Sequence, residues 1–321
     1  METNIAMTDE TKEQPHSNVR HIVISGGGPS VFTIFGAMKR LCEHKTVIID
    51  NVESVYACSS GAFLGVCVCA LKLGLTFSEL ESYIVTRCWT TLFANEVLDI
   101  RSMFSAKGLF DSTVIKKAIA PLLVTVGLSP NTTLGELYDA TNIKLVMFAV
   151  DVNSKPLKKV LISHETFSGL QVHEALAMTM ALPGVVTPAF VDGMCLVDGG
   201  LMANYPYNDC LEATGDDGSG VIGFKIKWDK PRVPIDSSSN IVTFLAHLMK
   251  MMAMHIDTSS RDIQDTSNTV ECSAPDSGNP SSWIDLFGDS EARLSYVRSG
   301  EASADAFIEG KTLQTPPECH T

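Results

Sequence analysis

Two strand–turn–helix units and one long, uninterrupted apolar strand predict an α/β fold. The first unit is His21-Ile22-Val23-Ile24-Ser25, which runs into Gly26-Gly27-Gly28-Pro29-Ser30 and then a helical pattern from Phe32 to Cys42. The second is Val55-Tyr56-Ala57, cut off by small residues and followed by helical spacing of Ala62, Phe63, Val66, Cys69 and Ala70. The third observation is Leu145-Val146-Met147-Phe148-Ala149-Val150-Asp151, whose lack of polar alternation marks a strand buried on both faces.

Composition permits one large core. The chain has 321 residues, 45% hydrophobic and 19% charged, with mean hydropathy +0.14. Residues 1–18 are polar and aperiodic and predict a disordered tail. Residues 19–310 predict a single catalytic domain, with a motif-bearing core at 21–228, a helical extension at 229–310 and a loose tail at 311–321. A net charge of -13 argues against nucleic acid as a partner and against retention on anionic lipid by charge alone. Nine scattered cysteines without C-x-x-C read as reduced, buried thiols of a cytoplasmic protein, with no metal and no cofactor. Asn131-Thr132-Thr133 matches a glycosylation acceptor but is discounted, because the N-terminus reads as carrying no signal peptide. The apolar run from Ala62 to Leu71 is too short to cross a bilayer and stops at Lys72, so it reads as a helix buried under a sheet.

In chain order, residues 76–123 read as mostly helical, with Thr76 and Ser78 as candidate caps; Trp89, Leu92, Phe93, Met103, Leu109 and Phe110 read as core ahead of membrane contact or a lid over the elbow. A short helix is predicted from Thr133, a strand at 160–163, and a helix at 172–181 stopped by Pro183-Gly184. Val191-Asp192-Gly193-Met194 reads as a hairpin turn, returning through Cys195-Leu196-Val197 into Asp198-Gly199-Gly200. A strand at 221–226, a polar linker at 229–240, a Met-rich amphipathic helix at 241–256 read as core ahead of a promiscuous binding face, a strand at 269–272 and a last helix at 290–309 complete the prediction.

The stretch Ala57-Cys58-Ser59-Ser60-Gly61 carries the chemistry. Ser59 stands where a strand turns sharply into a helix, the context of a nucleophile elbow, with small neighbours on both sides. The helix that follows points its N-terminal amides at the same place. A serine-rich helix cap explains the same residues equally well. The Gly26-Gly27-Gly28 loop has two functional readings, a phosphate cradle or an oxyanion hole; the phosphate reading lacks both G-x-x-x-x-G-K-[ST] and G-x-G-x-x-G.

Four blocks together resemble the patatin-like phospholipases: Gly26-Gly27-Gly28, Ala57-Cys58-Ser59-Ser60-Gly61, Ala177-Met178-Thr179-Met180-Ala181-Leu182-Pro183 followed by Pro188, and Asp198-Gly199-Gly200 followed by Asn204-Tyr205-Pro206. They occur in the family's order between residues 21 and 228. The resemblance implies a three-layer α/β/α patatin-like fold around a central, mostly parallel sheet. It implies a Ser59–Asp198 dyad that hydrolyses fatty-acyl esters through an acyl-enzyme, in the manner of a phospholipase A. Oxyanion donors would come from the Gly26, Gly27 and Gly28 loop and Ser60, with Gly61, Gly199 and Gly200 supporting the motifs. The partner would be phospholipid or another acyl lipid, met in transient contact at a membrane surface. This sequence departs from the family at Ser30, where a basic residue is usual, and at Val31 and Ala57, where glycine is usual. Those departures suggest the alternative of a weak or inactive lipid-binding member. Asp192 is a rival acid, and a triad would need one of the eight histidines.

Overall fold

The computed structural model describes residues 17–94, 105–228, 234–256, 267–275 and 283–314. Most of the expected N-terminal tail, Met103 and the first half of the 229–240 linker lie outside the described residues. The strands are β1 His21–Ile24, β2 Ser54–Cys58, β3 Lys144–Asp151, β4 Lys158–Ile162, β5 Ala189–Val191, β6 Met194–Asp198, β7 Val221–Trp228 and β8 Thr269–Ala274. The helices are α1 Val31–Glu43, α2 Ser60–Lys72, α3 Phe77–Thr86, α4 Trp89–Ala94, α5 Ser112–Thr125, α6 Leu134–Thr141, α7 Val172–Thr179, α8 Tyr207–Thr214, α9 Ile241–Ile256, α10 Trp283–Gly288 and α11 Ser290–Gln314. The last helix therefore reaches into the segment expected to be a loose tail. The helices α8 and α10, of eight and six residues, are too short to stand out in the sequence.

Hydrogen bonding links the strands in the series β5-β6-β3-β2-β1-β7-β8, and β4 also pairs with β3. Strands β3, β2, β1, β7 and β8 run parallel, while β4, β6 and β5 are antiparallel. Alternate residues divide between two faces, as the pleat requires. Ile22, Ile24, Val55, Ala57, Leu145 and Met147 face the larger core with α1, α2, α6 and α7. Val23, Tyr56, Val146 and Phe148 face the opposite side, covered by Tyr205, Tyr207 and Cys210 at the start of α8. Helices on both faces of a mostly parallel sheet make the predicted α/β/α layering, with unequal outer layers.

Helix α2 is buried along nearly its whole surface, from Ser60 through Leu71, as expected of an apolar helix wedged between a sheet and further helices. Thr76 and Thr133 both form capping boxes, with Glu79 and Glu136 respectively. Asp192 and Gly193 both have positive φ, 50° and 80°, which suits the twist of a two-residue hairpin turn between β5 and β6. The C-terminal extension adds β8 to the sheet and lays α11 along α1, with Gly36 against Val297 and Gly300 against Thr33.

Arg293 fastens that extension. It is 2% exposed and donates to the carbonyls of Val85, Arg87, Leu286 and Phe287 at 2.6–3.0 Å. It thus ties α11 to α10 and to the C-terminal end of α3. Arg293→Met is expected to lower stability by about 3–5 kcal/mol, because the buried carbonyls lose their donors together. A denaturant midpoint that stays at the wild-type value would contradict this.

Candidate active site

The site is assembled by a strand relay along one edge of β3. Strand β2 pairs with β3 up to Cys58, opposite Phe148. Strand β6 takes over at the next position, with Asp198 opposite Ala149. Because β4 covers residues 147–151 of β3 and overlaps both partners, it must occupy the other edge. Strands β2 and β6 therefore meet end to end, one parallel and one antiparallel to β3. The residue after β2, Ser59, is brought against the last residue of β6, Asp198.

Ser59 has φ 51° and ψ −130°, a strained conformation for a residue with a side chain. The turn aims its hydroxyl away from the sheet, and Ser59 Oγ donates to Asp198 Oδ2 at 2.6 Å. The Ser59 amide donates to Thr179 Oγ1 at 2.9 Å, and the Thr179 hydroxyl donates to the Phe148 carbonyl at 2.6 Å. Thr179 therefore holds the strained turn on β3. Gly61 has no room for a side chain: a Cβ there would lie 2.6 Å from the Ser25 carbonyl oxygen. The alanine in place of the usual elbow glycine is accommodated, since Ala57 is an ordinary, fully buried strand residue paired with Ile24 and Met147.

Thr179 was not singled out as functional by sequence reasoning, although it lies inside the 177–183 block. Thr179→Val is expected to cost about 1–3 kcal/mol, because it leaves the Phe148 carbonyl and the Ser59 amide unpaired. The turnover number should fall further than KM changes. Steady-state kinetics beside a thermal melt checks both.

Asp198 is 6% exposed, and its Oδ1 accepts the Gly200 amide at 2.8 Å within the 3₁₀ turn Gly199–Leu201. Burial pushes its pKa up to about 6, against the lowering effects of the Ser59 and Gly200 hydrogen bonds. Asp192, by contrast, is exposed at the hairpin tip. Among the described histidines, His21 pairs with Ser54, His44 with Thr46, and His164 stacks on Tyr138. His173 lies on α7 with its Nδ1 unpartnered among the described residues, and His247 lies on α9.

The glycine loop divides its amides. Gly26 donates to the Asn204 carbonyl at 3.0 Å, so its N–H holds the loop to the turn after Asp198 and is not a free oxyanion donor. Gly27 donates to Ser60 Oγ at 3.2 Å, which ties the loop to the first turn of α2. Gly28 has φ 55°, and a Cβ there would lie 2.6 Å from the Trp283 ring, so the indole covers this glycine. Nothing in the sequence pointed to Trp283, which reaches the loop from α10. Ser30 is fully buried at the head of α1, and Val31 is 6% exposed. An arginine at position 30 would therefore have to bury its charge.

Among the described residues, no group of three or more His, Cys, Asp or Glu side chains is placed to hold a metal ion. A surface cleft between α3 and α5, lined by Leu75, Glu79, Tyr83, Arg87 and Pro121, includes neither Ser59 nor Asp198. All cysteines among the described residues are free thiols, and burial pushes Cys69 up to about 12. No described helix is long and apolar enough to cross a membrane.

Comparison with known proteins gives the same outline. The family model described as patatin-like phospholipase matches residues 22–211, more than half of the chain. An uncharacterised protein of Acanthamoeba polyphaga mimivirus is 19% identical over 206 residues, covering 63% of this chain and 66% of the relative. A probable lipid hydrolase of invertebrate iridescent virus 6 is 22% identical over 196 residues, covering 60% of this chain and 63% of the relative. The chain thus spans just under two thirds of each of these relatives. Among solved structures, VipD from Legionella pneumophila superposes with a TM-score of 0.51 at 14% identity, over 91% of this chain and 67% of that one. At that identity the likeness concerns the fold.

Proposed function

The chain belongs to the patatin-like phospholipase family, and from its Ser59–Asp198 pair we propose that it hydrolyses fatty-acyl esters of lipids, in the manner of a phospholipase A. The observation that carries the proposal is the 2.6 Å hydrogen bond from a strained elbow serine to a buried carboxylate. The lipid class rests on the family, with support from the iridescent virus relative named as a probable lipid hydrolase.

In this reading Ser59 Oγ attacks the ester carbonyl carbon as its proton passes to Asp198 Oδ2. An ordinary carboxylate is a weak base toward a hydroxyl; one raised to about 6 by burial and held at 2.6 Å is better matched. The negative oxygen of the tetrahedral intermediate is stabilised by the backbone amides of Gly28 and Ser60 and by the N-terminal end of α2. Collapse breaks the ester C–O bond, and Asp198 returns the proton to the leaving alcohol. Water then gives its proton to Asp198 and attacks the acyl-enzyme; the fatty acid leaves and Ser59 recovers its proton. Gly27 acts indirectly, by positioning the loop through Ser60.

The test is mass spectrometry of products from mixed phospholipids, wild type against Ser59→Ala. Free fatty acid and lysophospholipid in the wild type alone support the proposal; identical product patterns overturn it. The base must be ionised, so kcat/KM should rise about tenfold per pH unit below pH 6 and level off above it. A rise centred near pH 4 would mean that burial does not raise the Asp198 carboxyl above the ordinary carboxylate range.

A further inference from the structure

Helix α9 turns apolar residues to both sides. Inward, Met249, Ala253 and Ile256 pack on Val150, Val197 and Leu201, residues that flank Asp198 and form its 3₁₀ turn. Leu245 reaches the loop at Gly184, where a Cβ would lie 3.0 Å from its Cδ1. Outward, Ile241, Phe244, Leu248, Met251 and Met252 are 57%, 44%, 44%, 41% and 42% exposed. Their spacing of 3, 4, 3 and 1 puts them on a single helical stripe about 100° wide. The Met-rich helix read as core is therefore core on one side only.

The surroundings extend the same character. Phe190 is 63% exposed, with Lys107 Nζ 5.5 Å from its ring centre, and the Lys107 carbonyl accepts the Gly184 amide. In a chain of net charge -13, residues 241–256 contain no Asp or Glu. Lys250 of α9 lies over the Trp228 ring. An acid-free apolar stripe with lysines near it, one helix diameter from the turn that carries Asp198, is complementary to a phospholipid surface: acyl boundary against the apolar side chains, phosphate against the lysines. A contact serving only to bury hydrocarbon would have no reason to sit beside the reacting carboxylate.

We propose that the outward stripe of α9 is the surface on which the protein settles onto aggregated zwitterionic phospholipid, seating Ser59 and Asp198 at the lipid–water boundary. The proposal rests on the lipid reading of that pair. Its strength comes from apolar area and not from net charge, which opposes anionic lipid.

The experiment measures binding without turnover. Ser59→Ala protein is sedimented with phosphatidylcholine vesicles, alone and with Phe244→Ser/Leu248→Ser or, at the other margin of the stripe, Ile241→Ser/Met252→Ser. The expected result is binding by Ser59→Ala and a loss of about tenfold or more in partitioning for each double substitution, with unchanged melting. In otherwise wild-type protein the same changes should cut hydrolysis of vesicular lipid by a similar factor and spare a soluble short-chain ester. Failure of Ser59→Ala to bind vesicles, or equal binding by the substituted proteins, overturns the proposal. So does a wild-type dimer that Phe244→Ser/Leu248→Ser dissociates while vesicle binding persists, since a second copy would then cover the stripe. Absence of ester hydrolysis in the wild type would remove the dyad reading and leave the surface to be decided by sedimentation.

Discussion

Ser59→Ala is expected to reduce ester hydrolysis by about four to six orders of magnitude while leaving the fold intact. Among the described residues, the Ser59 hydroxyl is the one placed against Asp198, since the neighbouring Ser60 Oγ accepts the Gly27 amide instead. The fold should survive because the turn is held by backbone contacts, the Ser59 amide to Thr179 and the Ala62 amide to the Ser59 carbonyl. A fluorophosphonate probe should label the wild type and not the variant. Substantial residual turnover would transfer the nucleophile to Ser60. Ser59→Gly should be equally inactive and about 1 kcal/mol more stable than Ser59→Ala, because glycine accepts φ 51° without strain.

Asp198→Asn is expected to lose about 10²–10⁴ in rate and to gain stability at neutral pH. Asparagine has the same shape but cannot take the Ser59 proton. The stability effect follows from linkage. The folded pKa of about 6 lies above the ordinary 3.8, so the folded protein binds more protons than the unfolded chain between those values. Wild-type stability therefore falls as pH rises from about 4 to 6 and stays low above, by at most about 3 kcal/mol. The asparagine variant escapes that cost at pH 8 and has no advantage at pH 4. Melting temperatures at the two pH values decide the matter: a wild type more stable than the variant at pH 8 would show that the ionised carboxylate is well solvated. Lost turnover with raised stability also separates a chemical role for Asp198 from mere misfolding.

Much of the fold was legible because strands buried on both faces have an unmistakable composition. The runs at 21–24 and 145–151 could hardly be anything else, and the glycines and small residues after them mark turns by their lack of side chains. The hairpin at Asp192-Gly193 was readable for the same local reason. By contrast, α8 and α10 are short, of eight and six residues, and Arg293 looks like any surface arginine until α3, α10 and α11 close around it.

The amino-acid sequence alone singled out the candidate residues: Ser59 at a strand-to-helix turn, Asp198 at the end of an apolar strand, and a glycine loop between β1 and α1. These are local properties of side-chain size and period. Only the tertiary structure decided that Ser59 and Asp198 meet, because β2 and β6 share one edge of β3 and abut between Phe148 and Ala149, a register that no local pattern encodes. Tertiary contacts also decided which glycine amides are spent on the fold, with Gly26 bound to the Asn204 carbonyl and Gly27 to Ser60. The same holds for Asp198, whose pKa is raised because the folded chain excludes water from it, and for α9, whose apolar residues divide into a buried and an exposed face only once β6 supplies a surface for one of them.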